Sequence, residues 1–136
     1  MAANVLVDAS FLVAFLSRRD TYYSWALAQS RRLSLPWRTC EAALSETFYF
    51  LGMAGAPRLA ALLHQRALMC AFTFAENTDE VLKLMEKYAD VPMSFADACL
   101  VRMTETIADP VLLTLDRDFR IYRRHGRRTI PCVIPN

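Results

Sequence analysis

At 136 residues and 15.5 kDa, the chain has the size of one domain, 1–136, large enough to bury a true core. Hydrophobic residues make up 54% of it and glycine occupies only 3 positions, which excludes disordered and fibrous classes. The formal net charge of +2 is too small to argue for nucleic acid by itself, and no run approaches the length of a membrane span. The N-terminus has no basic n-region, and Asp8 interrupts what would be the apolar stretch of a signal peptide. Cys40, Cys70, Cys99 and Cys132 show no Cys-x-x-Cys or Cys/His spacing, which argues against zinc. Each lies in a largely apolar stretch, as buried thiols of a reducing cytosol do. A cytoplasmic protein is expected.

In chain order, Asn4–Val7 reads as a strand and Ser10–Ser17 as a helix ending before Arg18-Arg19-Asp20. Tyr22–Arg32 is a second helix, with Arg31 and Arg32 at its dipole-favoured end. Leu33–Leu35 is a short strand cut off by Pro36. Thr39 is expected to cap a helix from Cys40 to about Leu51, stopped by Gly52 or Gly55, and Pro57 to start another running to Arg66 or Ala67. Ala71–Phe74 alternates like a strand. Asp79–Tyr88 and Ser94–Ile107 read as helices, Val111–Leu115 as a buried strand, and Ile130–Ile134 as a last one broken by Pro131. This alternation predicts an α/β fold in three layers, a central parallel sheet of about five short strands flanked by helices. Ligands of such folds bind beyond the carboxyl ends of strands, where strand order reverses.

Four acidic positions stand out. In VLVDASFLVAFL, Asp8 follows the first strand directly, and Asp116 follows PVLLTL. Either Asp can be read as a cap of the helix behind it, as can Asp118 in LLTLDRDF. Glu46, in TCEAALSETFYFL, has Ala42, Ala43, Tyr49 and Phe50 as its helical neighbours and no basic partner; solvation at the helix edge is the bland alternative. Ser94-Phe95-Ala96-Asp97 has the form of a capping box with Asp at its third position, and the small Ala96 and Ala98 leave room beside the carboxylate. Together, two strand ends and two helices can direct four carboxylates into one crevice. At ~4 Å separation each pair would repel by roughly 1 kcal/mol in water and about 4 at an effective dielectric of 20. Such a cluster calls for a cation, and oxygen donors suit Mg²⁺ or Mn²⁺ and metal-assisted phosphodiester chemistry.

In their order and spacing, VLVDASFLVAFL, TCEAALSETFYFL, SFADACL and LLTLDRDF resemble the PIN-domain family. Within it, the chain is similar to the small single-domain ribonucleases that include toxins of the VapC type, over nearly its whole length from Asn4 to Ile134. The resemblance implies a five-stranded parallel sheet and Mg²⁺- or Mn²⁺-dependent cleavage of RNA. It also implies a homodimer and, for a toxin, a cognate antitoxin protein. Asp8, Glu46, Asp97 and Asp116 take the metal-binding and catalytic positions, with Ser10, Thr114 and Asp118 as supporting polar residues. Many relatives carry a histidine near the start of the second helix, where this chain has Tyr22-Tyr23.

The stretch DRDFRIYRRHGRRTIP gathers Arg117, Arg120, Arg123, Arg124, Arg127 and Arg128, six of the chain's arginines, beside the last acidic motif. Guanidinium forks suit phosphate oxygens, and Phe119 and Tyr122 are placed to stack on unpaired bases; a solvated arginine-rich loop is the alternative. His64 and His125 read as surface residues, and Met53, Met69, Met85, Met93 and Met103 as core filler. Three classes of function follow: a metal-dependent endoribonuclease, a receiver-type domain phosphorylated on Asp8, and a catalytically silent PIN-like module that binds RNA or protein. The receiver reading is disfavoured because Asp-Ala-Ser lacks a second Asp and no lysine follows a late strand, Lys83 and Lys87 both lying in one helix.

Overall fold

Strand β1, Asn4–Val7, lies at the middle of a five-stranded parallel sheet, and its Val5, Leu6 and Val7 are all buried. The computed structural model describes residues 3–136; Met1 and Ala2, counted in the expected domain, lie outside the described residues. After β1 come α1 (Ala9–Leu16), α2 (Tyr23–Arg32), β2 (Trp37–Thr39), α3 (Glu41–His64), β3 (Leu68–Cys70), α4 (Thr78–Lys87) and α5 (Phe95–Thr106). The chain ends through β4 (Pro110–Leu113), a two-stranded hairpin of β5 (Arg123–Arg124) and β6 (Arg128–Thr129), and β7 (Cys132–Val133). The sheet order is β3-β2-β1-β4-β7, so the strand order reverses at β1, between β2 and β4.

Alternation along the strands divides the core in two. Leu6 and Leu112 face one side, against Val81 of α4, Leu100 and Met103 of α5, and Phe119 and Tyr122. Val5, Val7 and Leu113 face the other, against Phe11 and Leu12 of α1, Ala26 of α2 and Leu59 of α3. Trp37 completes this second core, edge-on to Phe11 and Phe15 with ring centroids 5.3 and 5.1 Å away. The three-layer parallel fold expected from the alternation is therefore the one formed.

Several boundaries differ from the sequence reading. The second strand is Trp37–Thr39, not Leu33–Leu35: Pro36 precedes the strand instead of ending it, because Leu35 is exposed while Trp37 is buried. The third strand is Leu68–Cys70, not Ala71–Phe74; pairing of Trp37 with Leu68 and Thr39 with Cys70 sets that register, and Phe74–Glu76 is a 3₁₀ turn. Thr39 does not cap α3. It ends β2, its hydroxyl donating to the Val7 carbonyl at 2.8 Å, and Cys40 takes the cap position.

The helix expected to stop at Gly52 does so, since the φ of 65° and ψ of −169° there are non-helical and essentially glycine-only; α3 is two helical segments meeting at that kink, and Pro57 lies within the second segment instead of starting it. Gly55 lies inside the second half, where a Cβ would come within 2.7 Å of the Leu51 Cβ. Core filler is also the wrong description of Met53 and Met69, which are exposed, and Cys70 is an exposed thiol.

Candidate active site

Asp8 occupies the N-cap of α1 and the carboxyl end of β1 at once. One carboxylate oxygen accepts from the Phe11 amide at 2.9 Å and from the Ser10 hydroxyl at 2.7 Å. The other accepts from the Thr114 hydroxyl, which lies just past β4. Ser10 in turn accepts from the Leu115 amide, and Thr114 from the Asp116 amide, both at 2.9 Å. Two hydroxyls thus join the neighbouring ends of β1 and β4 through Asp8. Burial raises the Asp8 carboxyl from 3.8 to about 6, against the bonds from Thr114, Phe11 and Ser10, with the Asp97 charge adding a further push.

Asp97 forms the capping box anticipated from Ser94: its amide donates to the Ser94 hydroxyl at 3.0 Å, and its carboxylate accepts from the Ser94 amide at 3.4 Å. The same oxygen accepts from the Tyr122 hydroxyl at 3.2 Å. Its pKa also rises from 3.8 to about 6, through desolvation first and the Asp116 charge second. Capping and an active-site role are compatible here, since the capping geometry itself aims the carboxylate. Glu46 is half-buried on α3, and its carboxyl is raised by desolvation. Asp116 accepts from the Asp118 amide at 2.9 Å; Asp118 contributes that amide and does not line the cleft.

Asp8, Glu46, Asp97 and Asp116 line a single cleft of about 570 Å³ at the carboxyl ends of β1 and β4. Ser10, Ser94, Val13, Phe50 and Leu100 complete its walls, and no basic residue is among the lining. A fifth carboxylate, Asp20, joins them from the turn before α2. In the sequence Asp20 only marks the end of α1; nothing local singles it out, because its place depends on how α2 folds back on α1. Tyr122 is likewise not the stacking residue its sequence neighbours suggest. It and Phe119 are fully buried, so neither ring is free to stack on a base, and the phenol instead positions Asp97. Burial and the adjoining carboxylates push that phenol well above its ordinary range.

Among the described residues, no three His, Cys, Asp or Glu side chains converge into a finished coordination shell. The acids share a cleft instead. Their chemistry nevertheless fits a hard divalent cation. All the charged donors are carboxylates, the Asp97 charge acts on Asp8 and the Asp116 charge on Asp97, and no cationic side chain offsets them within the cleft.

The arginine stretch is not part of this cleft. Arg123 donates to the carbonyls of Arg120, Ile121 and Tyr122 at 2.7, 3.1 and 3.1 Å. Arg124 donates to the carbonyl of Thr104 near the C-terminus of α5. At 1.5 Å per residue that contact lies about 10 Å along the helix from Asp97. Arg127 and Arg128 are exposed on the β5–β6 hairpin, and Arg117 and Arg120 on the 3₁₀ turn after Asp116.

The solved structure of the Mycobacterium tuberculosis toxin VapC20, a sarcin-ricin loop cleaving toxin, is similar in fold. It matches with a TM-score of 0.73 and 20% identity over 85% of this chain and 92% of that one. A protein of Pyrobaculum aerophilum aligns at 23% identity over 87% of this chain and 84% of that one, with a TM-score of 0.47. No curated protein sequence matches the chain. The PIN domain family model matches residues 5–124, from within β1 to the first strand of the hairpin and across every carboxylate of the cleft: the chain belongs to the PIN-domain family.

Proposed function

We propose that this protein is a metal-dependent endoribonuclease that hydrolyses RNA phosphodiester bonds, acting in the cytoplasm as the toxin of a toxin–antitoxin pair. The observation that carries the reading is the cleft itself: Asp8, Glu46, Asp97 and Asp116 at a strand-order reversal, with no cationic side chain among its lining. Family membership and the VapC20-like fold support the nuclease and toxin classes. Among the described residues no helix is long and apolar enough to cross a membrane. A homodimer and a cognate antitoxin belong to the same proposal.

The four acids would hold Mg²⁺ or Mn²⁺, and Ser10, Thr114 and Asp118 would keep two of them in place. Bound there, the ion supplies an activated water and neutralises charge on the scissile phosphate. Asp8 is fixed at both oxygens before any ligand arrives, so little reorganisation is needed. Tyr122 and the Ser94 amide hold one Asp97 oxygen at the α5 N-terminus. The cleft volume lies in the range of ligand pockets.

The test is cleavage of labelled RNA by purified protein with Mn²⁺ and with chelator, repeated with Asp116→Asn. Metal-dependent cleavage lost in the variant supports the reading. Cleavage that persists in chelator, or in the variant, sinks it and points to a contaminating nuclease. Intact RNA in every arm favours the silent binding module.

A further inference from the structure

A second groove, about 430 Å³, lies beside the acidic cleft. Val13 and Phe50 belong to the walls of both. The groove runs between the C-terminal end of α1 and the bent half of α3, and Arg18, Arg19 and Arg58 line it with no carboxylate among them. All three arginines are exposed. Among the described residues the ion pair present is Arg102 with Glu105, so these three guanidiniums are not neutralised by carboxylates. Phe50, at 68% exposure, stands on the boundary, and its neighbour Tyr49 is exposed beside it, the two rings edge-on at 5.3 Å.

The two cavities adjoin at Val13 and Phe50, one lined by carboxylates and the other by arginines. Helix α1 spans both: Asp8 and Ser10 face the acidic part, and Ser17, Arg18 and Arg19 the basic part. At 1.5 Å per residue the distance from Asp8 to Ser17 is about 14 Å. A stacked strand carries a phosphate about every 3.4 Å, so that span accommodates a few successive nucleotides. A polyanion entering the acidic cleft meets five carboxylates and no cationic side chain. It needs cationic groups close by on its flank, and this groove adjoins the cleft and supplies them.

We propose that the groove lined by Arg18, Arg19 and Arg58 holds the single-stranded RNA backbone flanking the scissile phosphate, with Phe50 stacking under a base where the two cavities meet. The proposal rests on the nuclease reading for its substrate class. Guanidinium forks match phosphate oxygens, and an exposed aromatic face stacks on any unpaired base. A protein partner fits less well, because the arginines are contiguous with the catalytic cleft and not confined to a separate face.

The test measures binding of a short fluorescein-labelled single-stranded RNA to the full chain by anisotropy, in chelator, across a range of salt. Arg18→Ala and Arg58→Ala should each weaken binding and flatten the slope of log affinity against log salt by roughly 0.7 per lost phosphate contact. Arg18→Lys and Arg58→Lys should restore the slope. Phe50→Ala should weaken binding by roughly tenfold at unchanged slope. Arg127→Ala with Arg128→Ala, on the far hairpin, should leave both quantities close to wild type. Melting curves establish that these exposed substitutions leave the fold intact.

If the groove variants keep wild-type slope and affinity, or the hairpin pair alone changes them, the assignment is overturned. It is overturned equally if the variants bind and cleave RNA normally and lose only homodimerisation or retention of an antitoxin. Cleavage is assayed separately in Mn²⁺ with the Asp116→Asn control. Metal-dependent cleavage with unaffected groove variants removes the groove and leaves the nuclease, whereas arginine-dependent binding without cleavage leaves the groove and removes the nuclease.

Discussion

Asp8 before one end of α1 and Arg18 just past the other are held in opposite ways. Asp8 is buried, and its two oxygens accept three hydrogen bonds, one from Thr114 just past β4 and two from the Ser10 hydroxyl and Phe11 amide of α1. Arg18 is exposed and has no carboxylate partner among the described residues. The same division runs along α3, from half-buried Glu46 to exposed Arg58 beyond the bend at Gly52. Groups that meet a reacting atom need a fixed geometry, whereas groups that grip a backbone by charge tolerate motion. The acidic end is accordingly built from the sheet and its hydroxyls, the basic end from a helix terminus and a bent helix.

The largest expected effect breaks the acidic end. Asp8→Asn or Asp116→Asn should lower the turnover rate for RNA in Mn²⁺ by at least ~10²-fold, the scale of one lost transition-state contact. Substitutions at the basic end should act on KM. Initial rates over a range of RNA concentration separate the two; a shared effect on KM alone would erase the distinction.

Next in size is the response to metal. Saturating Mn²⁺ should stabilise wild type by on the order of 2.7 kcal/mol at a hundredfold excess over the dissociation constant, and Asp97→Asn much less. Melting curves with and without Mn²⁺ measure this, and equal shifts in the two proteins would reduce Asp97 to a helix cap.

Gly52→Ala probes the bend. Its backbone lies in a region that side chains avoid, so the variant should lose about 1–3 kcal/mol in urea unfolding. A Cβ added at this position would meet nothing within 4 Å, so a loss would report backbone strain and not a clash. An unchanged urea midpoint would mean that the bend does not depend on glycine.

Smaller still is a gain. Asp97 titrates near 6 in the folded protein against 3.8 for the free side chain, so the native state binds the proton more tightly than the unfolded one. Stability contributed by the protonated form is present below about 4 and is lost as pH rises from 3.8 to 6. Asp97→Asn removes that loss. In chelator it should be more stable than wild type at pH 7 by about 1 kcal/mol, a figure reduced for the partial exposure of the carboxylate, and the gain should vanish near pH 4. A gain of equal size at both pH values would contradict ionisation of a desolvated carboxylate as its source.

The smallest effect concerns the arginine stretch. Arg124→Ala removes a guanidinium from the Thr104 carbonyl at the C-terminal turn of α5 and should cost about 1 kcal/mol. The salt slope of RNA binding should stay at its wild-type value. A flattened slope would return this stretch to the substrate.

The carboxylates were legible because their positions are local: Asp8 and Asp116 follow buried strands, and Asp97 completes a capping box three residues from Ser94. The sheet was legible through Val5–Val7 and Val111–Leu113, continuous apolar runs alternating with helical segments, as in a doubly covered parallel sheet. The edge strands were not. β2 and β3 have three residues each, and their limits come from pairing Trp37 with Leu68, a contact between distant segments. The arginine stretch differs: six in twelve residues look like a site in the sequence, yet none of them lines the acidic cleft. Arg18, Arg19 and Arg58 converge only through the packing of α1 on α3.

The pairing of β1 with β4 also sets a timetable for synthesis. Val7 pairs with Leu113, and the hydroxyl that grips Asp8 belongs to Thr114, 106 residues further along the chain. A ribosome delivers Asp8 first, but until β4 has emerged the carboxylate lacks its Thr114 bond and Asp116 is missing from the cleft. The parallel β1–β4 pairing carries a long loop-closure cost and forms late. A growing chain therefore lacks its complete acidic cleft until the segment that carries Thr114 and Asp116 has left the ribosome. Under the nuclease reading proposed above, the chain is thereby kept from cutting the message and ribosome that are still producing it.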